Sequence, residues 1–180
     1  MIILGLDLST SITGATVLDR EGNTLLCESW DTRNKNKFPT LLDKARFLKE
    51  SLQSVKSQYI IEHIFIEESL QSFRSGFSSA KTLSTLSKIN GIVSYICLEL
   101  FDLHPEYVAS TTARKLCGIK VPRGTKAKEF VLNFLLDTDP SFVIQCTKSG
   151  NPKPGFYDRA DSLIIARAGL ELCKQKKLIS

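Results

Sequence analysis

Four carboxylates in three separate stretches are the residues best placed to do chemistry: Asp7 in MIILGLDLST, Glu67 in IIEHIFIEESL, and Asp158 with Asp161 in FYDRADSLIIARAG. Asp7 and Glu67 each end a run of β-branched and aliphatic residues that reads as a buried strand, where an unpaired charge is strongly penalised by desolvation. Asp158 and Asp161 stand three apart at the start of an apolar-periodic helix, which sets both on one face roughly 5–6 Å apart. Two carboxylates about 6 Å apart repel by about 3 kcal/mol at an effective dielectric near 20. Convergence of all four would therefore call for cations, and an oxygen-only ligand set favours Mg²⁺ or Mn²⁺ over zinc.

Each acid also has a plainer use. Asp7, followed by Leu-Ser-Thr-Ser, could nucleate a turn. Asp158 could cap the last helix, and Asp161 could favour its positive end. Glu67, after Ile-Phe-Ile at a strand end, has fewer structural excuses, and Glu68 beside it would turn to the other face by alternation. The joint occurrence, in order, favours the metal reading.

No other residues compete as a metal site. Cys27, Cys97, Cys117, Cys146 and Cys173 show no C-x-x-C spacing, and His63 and His104 are isolated. An odd, scattered set of thiols without a signal peptide fits a reducing, intracellular setting. The net charge is +5, with positive charge gathered late at Arg114, Lys115, Lys120, Arg123, Lys126 and Lys128, then Lys148, Lys153 and the 174–177 stretch. Such a distribution suits a polyanionic partner. No apolar run is long enough to span a membrane, and there is no internal repeat, so residues 1–180 read as one soluble domain.

The elements that must position the acids follow from periodicity. Strands are predicted over residues 2–8, 14–18 and 24–30, close enough together to form an antiparallel meander. Leu41, Ala45, Leu48, Leu52 and Val55 recur at helical spacing, with Pro39 suited to the first turn. A strand over 60–66 follows, then the longest helical pattern, 79–100. Next come a strand near 107–109, short helices over 111–117 and 125–136, and a closing helix over about 158–176. The order gives a mixed α/β sheet of about five strands with helices on both faces.

Ile3-Leu4-Gly5-Leu6-Asp7, Ile66-Glu67 and Asp158-Arg159-Ala160-Asp161-Ser162-Leu163 resemble, in order and spacing, the first strand, fourth strand and final helix of RuvC-type Holliday junction resolvases in the RNase H-like superfamily. The resemblance covers most of the chain. It implies a homodimeric, metal-dependent endodeoxyribonuclease that resolves four-way DNA junctions, leaving 5′-phosphate and 3′-hydroxyl ends. Two Mg²⁺ per site are implied, with Mn²⁺ able to substitute, about 3.5–4 Å apart. Asp7 would bridge them, and Glu67 and Asp158 or Asp161 would complete their shells.

The segment 82–93 resembles the helix that crosses the family's dimer axis, with small residues Ser84, Ser87, Gly91 and Ser94 permitting close approach. Segments 112–118 and 124–128 resemble the basic stretch flanking the family's active site. Lys126 in the second matches the active-site lysine, and Arg114, Lys115, Lys120, Arg123 and Lys128, in and between the two segments, are expected to contact DNA. The family's aromatic wedge has Leu70 at its place, with Phe73 and Phe77 following, and an apolar residue there could part a base step. The loop from Thr147 to Phe156 is longer than the family pattern implies.

Two other readings share these residues. An RNase H-like RNA-processing nuclease, similar to the YqgF family, would use the same acids. The Gly5–Gly14 stretch also resembles the phosphate turn of actin-like and sugar kinases, but those need a second similar domain.

Overall fold

The computed structural model describes residues 1–68 and 80–179. The chain opens with β1 (Ile3–Asp7), β2 (Ile12–Leu18) and β3 (Thr24–Asp31), antiparallel neighbours with Asp7 opposite Gly14 and Ile12 opposite Asp31. Ser9 closes the first turn: its Oγ accepts from the N–H groups of Ser11 at 3.1 Å and Ile12 at 2.9 Å. That turn therefore does not draw on the Asp7 carboxylate.

Helix α1 (Leu41–Gln58) starts later than Pro39, because Thr40 and Asp43 form a capping box. The Asp43 N–H donates to Thr40 Oγ1 at 3.2 Å while Asp43 Oδ2 accepts from the Thr40 N–H at 3.0 Å. Then come β4 (His63–Glu67), α2 (Ala80–Phe101), β5 (Glu106–Val108), α3 (Ser110–Leu116), α4 (Ala127–Thr138) and α5 (Phe156–Ile179). Among the described residues α5, at 24 residues, exceeds α2, which has 22, so the longest described helix is the one that bears the paired aspartates.

The five strands form one mixed sheet in the order β3-β2-β1-β4-β5, with β4 parallel to β1 and β5 parallel to β4. Alternation divides its side chains between two cores. Leu4, Leu6, Ala15, Val17, Ile64 and Ile66 pack under α1 and α2. Ile3, Leu18, Phe65 and Val108 pack under α3, α4 and α5. The same period of two carries Gly5 and Asp7 to the face of Ile3, and Glu67 to the face of Phe65. Both strand-end acids thus look toward α5.

Helix α5 lies close on this face because glycines stand where its backbone comes nearest the sheet. A Cβ on Gly5 would stand 2.5 Å from the backbone nitrogen of Ala166, and one on Gly14 would stand 1.9 Å from the carbonyl oxygen of Asp158. Thr16 Oγ1 and Ser162 Oγ hydrogen-bond at 2.8 Å in the buried seam. The five cysteines are free. Among the described residues no helix is long and apolar enough to cross a membrane.

Gly5→Ala should destabilise the protein by about 1–3 kcal/mol, the usual range for overpacking where only backbone can yield. For a chain of this size that lowers Tm by roughly 2–4 °C per kcal/mol. Thermal denaturation of the variant checks it, and an unchanged Tm would show that α5 does not rest on β1 at this distance.

Candidate active site

The β1–β4 register pairs Leu6 with Ile66, and one further step brings Asp7 beside Glu67 at the carboxyl ends of the two central parallel strands. Asp158 and Asp161 arrive from the first two turns of α5, which begins at Phe156. Asp158 therefore sits inside the first turn, not at its cap, and both acids lie toward the positive end of the helix dipole. Three segments far apart in sequence meet at one rim of the sheet.

Each of these carboxyls is held above its ordinary pKa. Asp7 is only 8% exposed; burial raises it most, followed by the fields of Glu67 and Asp161, and its carboxyl shares a hydrogen bond with Glu67. Burial likewise raises Glu67, opposed by that hydrogen bond and by one from the Ser110 side chain. Asp158 and Asp161 are raised by burial, against the pull of Lys128 on both, of Arg33 on Asp158 and of Arg114 on Asp161. Glu68 is exposed, and its N–H donates to the Val108 carbonyl at 3.0 Å. Glu67 is thus the acid that joins Asp7.

The lysine that meets the carboxylates is Lys128. Its Nζ stands 3.1 Å from Asp161 Oδ2, with 62% of the side chain accessible across the open face of the site. Desolvation pulls this ammonium's pKa down, but Asp161, Asp7 and Asp158 outweigh it and hold it above its usual value. The sequence pattern matched Lys126 to this role, but in the structure its ammonium does not meet the carboxylates. Lys126 is the N-cap of α4, 80% exposed, and its ammonium bonds Glu129 at 2.9 Å. Lys128 was legible by a different signal: with Val131, Leu132 and Leu135 it lies on the stripe of α4 at helical spacing, the last three being buried.

Of the basic residues expected to contact DNA, Arg114, Lys115 and Lys120 line a cavity of about 310 Å³ with Gly118 and Ile119. Arg114 also borders Glu67, Ser110 and Asp161, so the basic cavity adjoins the carboxylates. Arg123 is exposed in the loop before α4. Leu70, Phe73 and Phe77 lie outside the described residues. Ser110 and Arg33 escaped the sequence reading, since nothing in their spacing marks them. Arg33 grips Asp31 through Nε at 3.0 Å and Nη2 at 2.7 Å.

The donor set fits hard divalent cations in kind and charge: four oxygen ligands, each held above its ordinary pKa by burial and by its neighbours. Among the described residues no three acidic, histidine or cysteine side chains stand at the mutual spacing of a closed metal shell. Lys128 supplies the positive charge that the carboxylates face in this arrangement.

No protein-family model and no curated protein matches the chain. Solved structures do. RuvC of T. thermophilus in complex with a Holliday junction substrate is 16% identical, with a TM-score of 0.66 over 97% of this chain and 96% of that one. A second Thermus thermophilus RuvC structure gives 19% identity and a TM-score of 0.65, over 98% and 97%. The yeast mitochondrial Holliday junction resolvase Ydc2 gives 14% and 0.62, over 98% and 80%. The likeness gives the fold: the chain has the RuvC-type, RNase H-like architecture.

A carboxyl whose pKa is raised in the folded state stabilises the fold below its unfolded pKa, and this contribution is lost as pH rises through the folded value. In metal-free buffer Asp7→Asn should therefore melt above the wild type at neutral pH. The gap should close as pH falls toward 3.8, the ordinary value for aspartate. Mg²⁺ at neutral pH should raise Tm in the wild type and much less in the variant. Identical melting at neutral pH, or a gap that widens on acidification, would show that Asp7 carries no repulsive load.

Proposed function

We propose that the chain is a metal-dependent, structure-selective endodeoxyribonuclease that resolves four-way DNA junctions. One observation carries the reading: carboxylates from β1, β4 and α5 share a single rim with Lys128, on the fold of proteins known as Holliday junction resolvases. Residues 1–180 form one nuclease domain in this reading, working inside the cell.

Asp7, Glu67, Asp158 and Asp161 would hold two Mg²⁺ ions, or Mn²⁺ in their place. When bound, such ions lower the pKa of a water and stabilise charge on the attacking and leaving oxygens. Hydrolysis breaks the P–O3′ bond, leaving a 5′-phosphate and a 3′-hydroxyl. Lys128 offsets charge on the scissile phosphate. Arg114, Lys115 and Lys120, beside the acids, hold a neighbouring phosphate and set the strand's register without reading its sequence. Ser110 orients Glu67 by its hydrogen bond.

Paired cuts across a junction need two sites at a fixed separation, which a twofold homodimer supplies. Helix α2 offers the surface: Ser84, Ser87 and Gly91 are exposed, Tyr95 is 66% exposed, and a Cβ on Gly91 would meet nothing within 4 Å.

The deciding test offers purified protein labelled four-way, flap and linear DNA, with a four-way RNA as a further arm, in Mg²⁺ and in EDTA. Metal-dependent cutting of the four-way DNA is expected. Asp7→Asn and Glu67→Gln should abolish it while junction binding persists, because phosphate contacts supply most of the affinity. Near-normal cutting by either would sink the site. Lys128→Met should lower the cleavage rate by about 10²–10³-fold, the scale for losing one contact to a developing charge, whereas Lys126→Met should leave it within a few-fold. The reverse order would restore Lys126 to the role that the sequence pattern suggested.

A further inference from the structure

Between α4 and α5 lies the loop that is longer than the resemblance implies. The stretch from Pro140 to Tyr157 contains no acidic residue and two lysines, Lys148 and Lys153. It folds into a small hairpin. Cys146 bridges Pro152 antiparallel, the Lys153 N–H donates to the Gln145 carbonyl at 2.7 Å, and the Thr147 N–H donates to the Asn151 carbonyl at 2.8 Å. Its tip is a turn closed by the Gly150 N–H on the Thr147 carbonyl at 3.0 Å, with Gly150 at φ 80°, a left-handed position that glycine accepts without strain. Lys148 stands at that tip.

The hairpin's stem is fixed to the candidate catalytic helix. Arg159, adjacent to Asp158 and only 6% exposed, donates from Nη1 to the Val143 carbonyl and from Nε to the Cys27 carbonyl, each at 3.0 Å. Its guanidinium lies over the Phe142 ring, 5.3 Å from the centroid. On the other side, Ser29 Oγ donates to the Pro154 carbonyl at 3.4 Å. A Cβ on Gly155 would come within 2.4 Å of that same hydroxyl, so the stem is seated tightly on β3. One arginine, the residue beside Asp158, thus couples the hairpin's stem to α5.

A cleft of about 370 Å³ separates the hairpin from β3, lined in part by Lys153, Arg159, Glu28 and Asp31. Both acids are engaged: Trp30 Nε1 donates to Glu28 at 3.3 Å, and Arg33 grips Asp31. Lys148 and Lys153 are exposed and ion-paired to no described residue. An anchored, acid-free, cationic finger on the flank of the acidic site fits one partner chemistry.

We propose that the 145–153 hairpin is a nucleic-acid backbone clamp, in which Lys148 and Lys153 each neutralise a phosphate of the strand running past Asp158. The proposal rests on the nuclease reading and adds to it a contact surface on the β3 flank. The clamp contributes affinity and register; cleavage chemistry stays with the carboxylates.

The test is Lys148→Gln/Lys153→Gln, with binding of a labelled four-way DNA junction measured in EDTA between about 50 and 200 mM salt. Loss of two phosphate contacts should reduce the log-log salt slope by about 1.8 units, so that the wild-type advantage in affinity shrinks about twelvefold across that range. At saturating protein the variant should still cut in Mg²⁺. Arg20→Gln/Lys56→Gln removes the same charge at the opposite end of the sheet from Asp7 and should keep the wild-type slope. An unchanged slope in the hairpin variant, or an equal fall in the control pair, overturns the clamp while wild-type binding and cutting leave the nuclease reading standing. A wild type that neither binds nor cuts overturns both.

Discussion

The close seat of α5 on the sheet is the constraint on which the rest depends. Gly5 and Gly14 clear the surface of β1 and β2, and Gly169 does the same further along the helix, where a Cβ would lie 2.2 Å from the Phe65 ring. With side chains at these positions α5 would ride higher, and Asp158 and Asp161 would lift away from the strand-end acids. The Thr16–Ser162 hydrogen bond then sets the helix along its axis, because a buried hydroxyl left without a partner is costly. Packing thus fixes the distance between the acids before any charge is considered.

Given that distance, the charges are held under tension. Four largely buried carboxylates oppose one another, and the fold offsets them with Lys128 and the flanking Arg114 and Arg33. The large apolar cores on both faces of the sheet supply the stability that a local repulsion subtracts. A site that is uncomfortable when empty of divalent charge is one in which such charge binds with advantage, since binding removes repulsion as well as forming contacts. The accessible stem of Lys128 matters here: an exposed lysine can leave the carboxylates at little cost to packing.

Much of this was legible because period-two alternation is strict. The run Ile3 to Asp7 and the run His63 to Glu67 each place their acid on a determined face, so choosing Glu67 over Glu68 needed no coordinates. The helical spacing of Asp158 and Asp161 was equally readable. Two kinds of information were not. The resemblance of the 124–128 stretch picked Lys126, but a segment match does not fix helix phase, and with Lys126 at the cap it is Lys128 that turns toward the acids. Long-range partners such as Arg159 with Val143 and Cys27 leave no local pattern, because backbone carbonyls accept regardless of residue type.

The strand order also fixes how the basic surfaces stand around the acids. Asp7 and Glu67 end the central pair β1 and β4; the cavity of Arg114, Lys115 and Lys120 belongs to α3, which follows β5 at one edge. The hairpin is anchored on β3 at the other edge. Four gaps separate those edges, and neighbouring strands lie about 4.8 Å apart, giving a span of about 19 Å. At a rise of about 3.4 Å per nucleotide, that is roughly six nucleotides of one strand. In the proposed reading, a phosphate at the acids would have backbone on both sides in reach of cations, and the strand would be held across the point of cleavage. Cationic contact on one flank alone would leave the chain free to pivot about the metal site. Contact on both flanks fixes its direction, and a fixed direction is what in-line attack on phosphorus requires.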